Sequence, residues 1–266
     1  MNAIKNRKLV SFSGVCPINC KHCYTYELAQ KKATSDADEI KSITANLNDG
    51  EPYDVIYVSH DRENFVDEDA GINLVEVLCN EYRKHIFIIT RMNLSDACIN
   101  RLAQINRRMQ KAELLLSVAV SIPATTSYTI TENSSFIASP KERCDCIRRL
   151  HNAGIKTILM ARPVFPNSII PVKEITEMIQ NNAPYIDAVV SSGLAVNPTI
   201  LQRLNMSKES FTYLPGNNAE YLIGSDVKDI KYINVNPELE RIKDCCTDNS
   251  IPFATHSMQA LNMLLE

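Results

Sequence analysis

Short runs of β-branched and other apolar residues alternate along this chain with longer segments whose apolar positions recur at helical spacing. Residues 9–12 predict a first strand that runs directly into a cysteine-bearing loop, and residues 26–46 are polar and helix-compatible. A second strand is predicted over 54–59. The helix after it, 68–83, places Leu74, Val75, Leu78 and Tyr82 on one face. Residues 86–90 predict strand three, 95–110 a helix opened by Ser95, and 114–122 strand four. Ser139, Pro140 and Glu142 form a helix-start signature, and Gly154 closes that helix. Strand five over 155–161, a helix over 171–181 and strand six over 185–191 complete the series.

Buried apolar strands separated by helical segments imply a parallel sheet with crossover helices. Six strands are too few to close an eight-stranded barrel. The expected fold is therefore α/β, a partial (β/α)6-type barrel of mainly parallel strands covering residues 1–200. Beyond residue 200 the pattern dissolves, and 211–216 reads as a short hairpin or flap. Residues 231–235, 237–249, 251–255 and 257–265 then read as strand, helix, strand and helix. This C-terminal β/α extension, 201–266, is expected to pack on the same sheet. In such sheets chemistry lies beyond the strands' C-terminal ends, where the loop after strand one falls.

Composition narrows the function classes. The 266 residues are 45% hydrophobic and 22% charged, ordinary for a globular protein. A net charge of −3 and only 6% aromatic residues, with no tryptophan, do not favour a nucleic-acid partner. No apolar run reaches membrane-spanning length, and the first residues lack a secretion signal. An odd number of cysteines, 9, with Cys245 and Cys246 adjacent, fits a reducing cytoplasm better than a disulfide framework. Only 7 glycines are present, and no glycine-rich phosphate loop is found.

The candidate chemistry lies in Cys16, Cys20 and Cys23. Three thiolates within one loop can hold three corners of a cubane iron–sulfur cluster and leave one iron open to a ligand. Two plainer readings compete: half of a zinc site with His22 as fourth ligand, or small core residues. No second ligand cluster follows at zinc-finger spacing. Cys79 and Cys98 read as core positions within helices, and Cys144 and Cys146, two apart on one helix, face different ways.

The C-x3-C-x2-C run resembles the signature of the radical S-adenosylmethionine (radical SAM) superfamily. The likeness extends to about residue 200 and is closest to the spore photoproduct lyase-like branch. It is carried by Thr90-Arg91 after strand three, Val120-Ser121 ending strand four, Thr125, Thr126 and Glu132, the 139–143 and 152–155 segments, and 162–166. The resemblance implies a 4Fe–4S cluster on Cys16, Cys20 and Cys23. It implies S-adenosylmethionine on the fourth iron, cleaved by one electron to methionine and a 5′-deoxyadenosyl radical that takes hydrogen from a substrate. Lyase-like or transferase chemistry and an electron donor such as flavodoxin or ferredoxin go with it.

Residue roles carry over by position. Arg91 suits the methionine carboxylate, because a guanidinium fork pairs two oxygens and keeps its charge when buried. Ser59 and Glu63 stand where many members have Gly-Gly-Glu, beside the ligand's ammonium. Both glycines are missing here, so Glu63 is either a ligand or a loop charge. Ser121 would meet the ribose or methionine part, and Arg162 lies at the mouth of strand five. His22 is either a flat ring by the adenine or a solvated loop residue. The resemblance nominates no hydrogen-returning thiol. A non-catalytic cluster- or nucleotide-binding sensor stands as the alternative, and a small molecule, a nucleotide or a peptide are all open as substrate. Two arginine-rich stretches, Arg101, Arg107, Arg108 and Lys111 on one helix and Arg143, Arg148 and Arg149 on another, are expected to be solvated faces.

Overall fold

The protein, described by a computed structural model over residues 3–27, 36–48, 50–132, 137–215 and 230–266, is built on one open parallel sheet. Its strands are β1 (Arg7–Val10), β2 (Val55–Val58), β3 (His85–Thr90), β4 (Leu116–Ser121), β5 (Lys156–Met160), β6 (Ala188–Val190) and, after a short two-residue strand pair, β9 (Phe253–Ala254). They lie in the spatial order β1-β2-β3-β4-β5-β6-β9, every neighbour parallel. Both faces of this sheet are covered, so β2 and β4 are buried along their whole length. The sheet does not close, which bears out the partial-barrel expectation and adds a seventh strand.

One core fills the space between the sheet's outer face and its helices: Ile56, Val58, Ile88, Val118, Val120 and Leu159 meet α2 (Glu68–Glu81), α3 (Asp96–Lys111) and α4 (Pro140–Asn152). A second core lines the concave face, with Val55, Tyr57, Phe87, Ala119, Ile158 and Met160. Tyr57 and Phe87 pack edge to face at 4.8 Å, worth about 0.5–1.5 kcal/mol beyond area burial. Helix starts are chemically marked. Ser139 and Glu142 form a reciprocal capping box on α4, while Asp67 and Ser95 cap α2 and α3. Gly154 takes φ +77° just past α4, a backbone region open to glycine at little cost. Within α2, a side chain at Gly71 would meet the Phe65 ring at 3.0 Å and the Asn64 carbonyl at 3.1 Å. Its lack of one lets α2 press on the loop after β2.

Three expectations shift. Strand one runs over Arg7–Val10 rather than 9–12. Arg7 and Lys8 take strand positions with their charged ends over the rings of Tyr57 and Tyr53, at 5.3 and 6.0 Å to the ring centroids. Helix α1 spans Asp36–Leu47; the expected helical stretch before it includes residues 28–35, which lie outside the described residues. In the tail, β8 (Lys231–Tyr232) does not extend the sheet. It pairs antiparallel with β7 (Ala195–Val196), and a bridge from Tyr213 to Ile233 adds the 211–215 stretch to its other side. Gly216, the end of the expected hairpin, lies outside the described residues. The short helix α6 (Pro198–Arg203), capped by Asn197, falls where the sequence pattern had dissolved. Helices α5 (Val172–Asn182) and α7 (Asn236–Asp248) pack together. No helix among the described residues is long and apolar enough to cross a membrane.

The last helix, α8 (Ser257–Met263), lies on the concave side: Ala260 and Leu261 join the inner core with Ile4, ahead of β1. Asn262 ties these two ends of the chain. Its Oδ1 accepts from the Ile4 N–H at 2.7 Å, and its Nδ2 donates to the Ile4 carbonyl at 3.1 Å. This pair links the segments flanking the two edge strands of the open sheet. Asn262→Ala is expected to cost about 1–3 kcal/mol, from two hydrogen bonds, in urea-denaturation stability; unchanged stability would show that this tie contributes nothing.

Candidate active site

The loops after the parallel strands enclose a cavity of about 780 Å³. All nine residues singled out from the sequence border it: Cys16, Cys20, Cys23, His22, Ser59, Glu63, Arg91, Ser121 and Arg162. The loop from Gly14 to Tyr24 leaves β1 and is pinned by Ile18, 1% exposed. Within it Asn19 takes φ +49°, and the Cys23 N–H donates to the Cys20 carbonyl at 3.0 Å. Arg203, at the end of α6, clamps this turn from outside: its Nη2 donates to the Cys20 carbonyl at 2.8 Å and to Asn19 Oδ1 at 2.7 Å. The Lys21 N–H bonds the Thr131 carbonyl at 2.9 Å, joining the loop to the segment that carries Glu132.

All three thiols are free, and burial pushes Cys20 up to about 12. Such a thiol binds metal only by losing its proton to the metal's charge. Among the described residues no three His, Cys, Asp or Glu side chains are grouped as around a single ion. One tetrahedral ion would draw sulfurs onto a common centre at about 2.3 Å; a cubane distributes its ligands over separate irons. The donor set, three thiols of one loop facing a roomy cavity, fits the cluster. His22 is buried and held neutral, its pKa well below the usual value through burial and then the Arg91 charge. It is not the solvated loop residue weighed from sequence. Its ring stands edge-on to Phe165 at 6.5 Å, and Nε2 lies 3.5 Å from an Arg91 nitrogen.

Arg91 follows β3 and is fixed at both ends. Its N–H donates to Glu63 Oε2 at 2.7 Å, and Nη1 donates to Glu132 Oε1 at 2.7 Å. Glu132 is fully buried and is also gripped by Arg143, whose Nη2 reaches Oε2 at 2.6 Å and whose Nη1 reaches Oε1 at 3.1 Å. Arg143 Nη1 also donates to the Ser121 carbonyl at 2.6 Å, so the chain Arg143–Glu132–Arg91 braces the ends of β3 and β4. Burial alone would lower the Arg91 pKa, but the cysteines and Glu132 raise it further, and the guanidinium stays charged.

Glu63 accepts from Phe65 N–H at 3.1 Å, Thr90 Oγ1 at 3.0 Å and Arg91 N–H, while its own burial raises its pKa. It is more than a loop charge: it sets the ends of β2 and β3. Ser59 adopts φ +66°, the left-handed region glycine enters most easily, and its Oγ accepts from Asn64 N–H at 3.2 Å. A serine here thus holds a backbone conformation that glycine would adopt at less cost. The Ser121 hydroxyl is buried at the cavity wall without a hydrogen-bond partner among the described residues. An orphaned buried hydroxyl is costly unless a ligand completes it, so the site also fits a polar cofactor.

The expectation that Arg143 lies on a solvated face is overturned: it is 0% exposed. The signal existed, because Arg143, Ile147 and Leu150 fall at i, i+4 and i+7 on the buried face of α4. Arg148 and Arg149 do face outward, paired with Asp145 and Asp96, and Arg101 and Arg108 share Glu76. Arg203 had no sequence signal, since α6 lies in unpatterned sequence. The other cysteines, Cys79, Cys98, Cys144, Cys146, Cys245 and Cys246, do not border the cavity.

Glu132→Gln leaves Arg143 buried without its counter-charge and is expected to cost about 3–5 kcal/mol in denaturant unfolding. A loss under about 1 kcal/mol, the scale of one neutral hydrogen bond, would contradict the bracing role.

Comparison with known proteins agrees with this geometry. The family model for the radical SAM superfamily matches residues 10–193. No curated protein matches the sequence. Spore photoproduct lyase complexed with dinucleoside spore photoproduct shares the fold at 12% identity and a TM-score of 0.63, over 92% of this chain and 75% of that one. SuiB of Streptococcus suis bound to S-adenosylmethionine matches at 14% identity and a TM-score of 0.61, over 96% of this chain and 51% of its own. SuiB bound to the precursor peptide SuiA gives 14% and 0.59, over 96% and 49%. The match begins at the end of β1, takes in the cysteine loop and runs past β6, and the chain belongs to the radical SAM superfamily, whose members cleave S-adenosylmethionine at an iron–sulfur cluster.

Proposed function

We propose that this protein is a radical SAM enzyme that binds S-adenosylmethionine between the cysteine loop and Arg91 and abstracts hydrogen from a substrate held in the same cavity. One observation carries the reading: Arg91, braced by Glu132, faces the three-cysteine loop across a cavity whose wall holds the unpartnered Ser121 hydroxyl. Cys16, Cys20 and Cys23 would hold the 4Fe–4S cluster. When bound, the cluster supplies the electron that cleaves the sulfonium, giving methionine and 5′-deoxyadenosyl. An external donor such as flavodoxin or ferredoxin delivers that electron.

The chain's own residues bind, orient and exclude water. Arg91 keeps one guanidinium edge on Glu132 and offers the other to the methionine carboxylate. Ser59 and Glu63 border the ammonium end; Glu63 adds a buried negative charge there while holding the Arg91 backbone. Neutral His22 presents a flat face for the adenine, and Ser121 Oγ is completed by the ribose or methionine part. Arg162 borders the cavity from β5 and lies within electrostatic reach of both Arg91 and Arg7. A non-catalytic binder draws its support from the missing glycines after β2; the left-handed backbone of Ser59, a conformation glycine adopts readily, favours the enzymatic reading at one of those two positions. The reaction is lyase-like or transferase, by analogy of fold with the solved neighbours.

Cys20→Ala is expected to lose the brown iron–sulfur absorbance and all 5′-deoxyadenosine formation after anaerobic reconstitution with dithionite. Full activity in that variant would exclude the cluster assignment. Arg91→Ala is expected to weaken S-adenosylmethionine binding at least about tenfold, the scale of a charge-assisted pair, with near-normal iron content. Glu132 stays paired with Arg143 in this variant, so the fold is kept. Equal affinity would remove Arg91 from the site.

A further inference from the structure

The concave face holds two guanidinium groups that form no ion pair with an acid among the described residues. Arg7 and Leu9 of β1 border the cavity, while Val10 packs into the outer core. Arg7 therefore sits on a wall otherwise made of Tyr57, Phe87, Ile158, Met160 and similar apolar groups. A charge there is costly unless something pairs with it. Its described contacts are with Tyr57: the guanidinium carbon lies 5.3 Å from the ring centroid, and the fork reaches toward the hydroxyl, with no ion pair to a carboxylate among the described residues. Arg162 forms neither a hydrogen bond nor an ion pair among the described residues, in contrast to Arg91 with Glu132.

Among the described residues the surroundings supply no unpaired carboxylate. Burial lowers the Arg162 pKa, and the groups acting on it most strongly are Tyr24, Tyr57, Arg91 and Arg7, with no carboxylate among them. Of the two carboxylates that border the cavity, Asp61 is paired with His60 at 2.7 Å, and Glu63 is held by Phe65, Thr90 and Arg91. Tyr57 is 1% exposed, and its hydroxyl is buried with no well-formed hydrogen bond, although Arg7 lies close beside it. His256, just before α8, borders the same space, its pKa lowered by burial and then by Arg162 and Arg7. Two guanidinium forks and one hydroxyl thus face one chamber with no carboxylate paired to them among the described residues.

We infer that Arg7, Arg162 and the Tyr57 hydroxyl form a subsite for an oxyanion, a carboxylate or phosphate group, on the substrate. This rests on the reading of the cavity as the chamber of a radical SAM enzyme, and it moves Arg162 from the cofactor to the substrate. A guanidinium fork matches the two oxygens of a carboxylate or phosphate, and Tyr57 adds a third donor. Arg7 stands three residues, about 10 Å of strand, before the C-terminal end of β1, from which the chain runs on into the cysteine loop. An anion fixed there anchors one end of a small substrate and leaves its other end toward the cofactor, the positioning that abstraction requires. A cationic substrate such as a polyamine is disfavoured by the same charges.

The test is calorimetric titration of the wild-type protein, with and without reconstituted cluster, using inorganic phosphate, succinate and putrescine as probes. Phosphate, succinate or both are expected to bind, which separates the two oxyanion sources, and putrescine is not. Arg7→Gln and Arg162→Gln should each weaken the anion about tenfold or more. Tyr57→Phe, which removes only an unpartnered hydroxyl and spares the packing, should weaken it several-fold. Saturating S-adenosylmethionine should leave the anion bound. Failure of both anions to bind wild type, unchanged affinity in these variants, or displacement by S-adenosylmethionine would overturn the subsite. Failure of wild type to form 5′-deoxyadenosine would instead defeat the enzymatic reading and leave the anion titration standing.

Discussion

A carboxylate with no access to water must be matched by positive charge, and Glu132 is matched twice. Arg143 takes it in a two-nitrogen grip from α4, and Arg91 takes its remaining edge from the end of β3. The order of these partners matters. Arg143 is wholly buried, and its side-chain hydrogen bonds among the described residues go to Glu132 and the Ser121 carbonyl. Arg91 is partly open to the cavity, so the triad delivers one net positive charge, aimed and immobilised, to the place where an anionic ligand end is needed. The segment carrying Glu132 also bonds the cysteine loop through Thr131 and Lys21. One buried acid thereby sets strand ends, loop and charge relative to each other, and the water-free surroundings strengthen every such interaction.

Much of the fold was legible because its strands are buried on both faces. Runs such as 86–90 and 116–121 leave no solvent-facing positions for polar residues, and helix caps at Ser95 and Ser139 mark what lies between. The misreadings share a cause. Arg7 and Lys8 look like a polar lead-in, yet aromatic rings on the two sides of the sheet receive their charged ends, and the strand starts earlier. Residues 231–232 have the composition of a sheet strand, but two residues cannot show which partner they will pair with. Residues 253–254 are as short, and reach the main sheet because α7 returns the chain to its β6 edge.

For the site, the contiguous parts were readable and the assembled parts were not. Three cysteines in one loop announce their chemistry, and Arg91, Ser121 and Arg162 each follow a strand whose end could be located. The clamp from Arg203 onto the turn at Asn19 and Cys20 joins Arg203 to Asn19, 184 residues apart in sequence, and exists only after folding. Arg143 was within reach of sequence reasoning, since its helical phase places it with Ile147 and Leu150; an arginine-rich stretch disguised it. Arg7 shows the converse case, where a residue read as lying outside an element proves to line the chamber.

The central claim is that three thiolates of one loop hold a cluster with an iron left for S-adenosylmethionine, beside a charge that Glu132 holds in place. Electron–nuclear double resonance on the reduced, reconstituted protein tests it most directly, with the cofactor labelled at its amino nitrogen and carboxylate oxygen. The account predicts hyperfine coupling from both labels to the cluster. A fully coordinated cluster whose spectrum is unchanged by either label would contradict it.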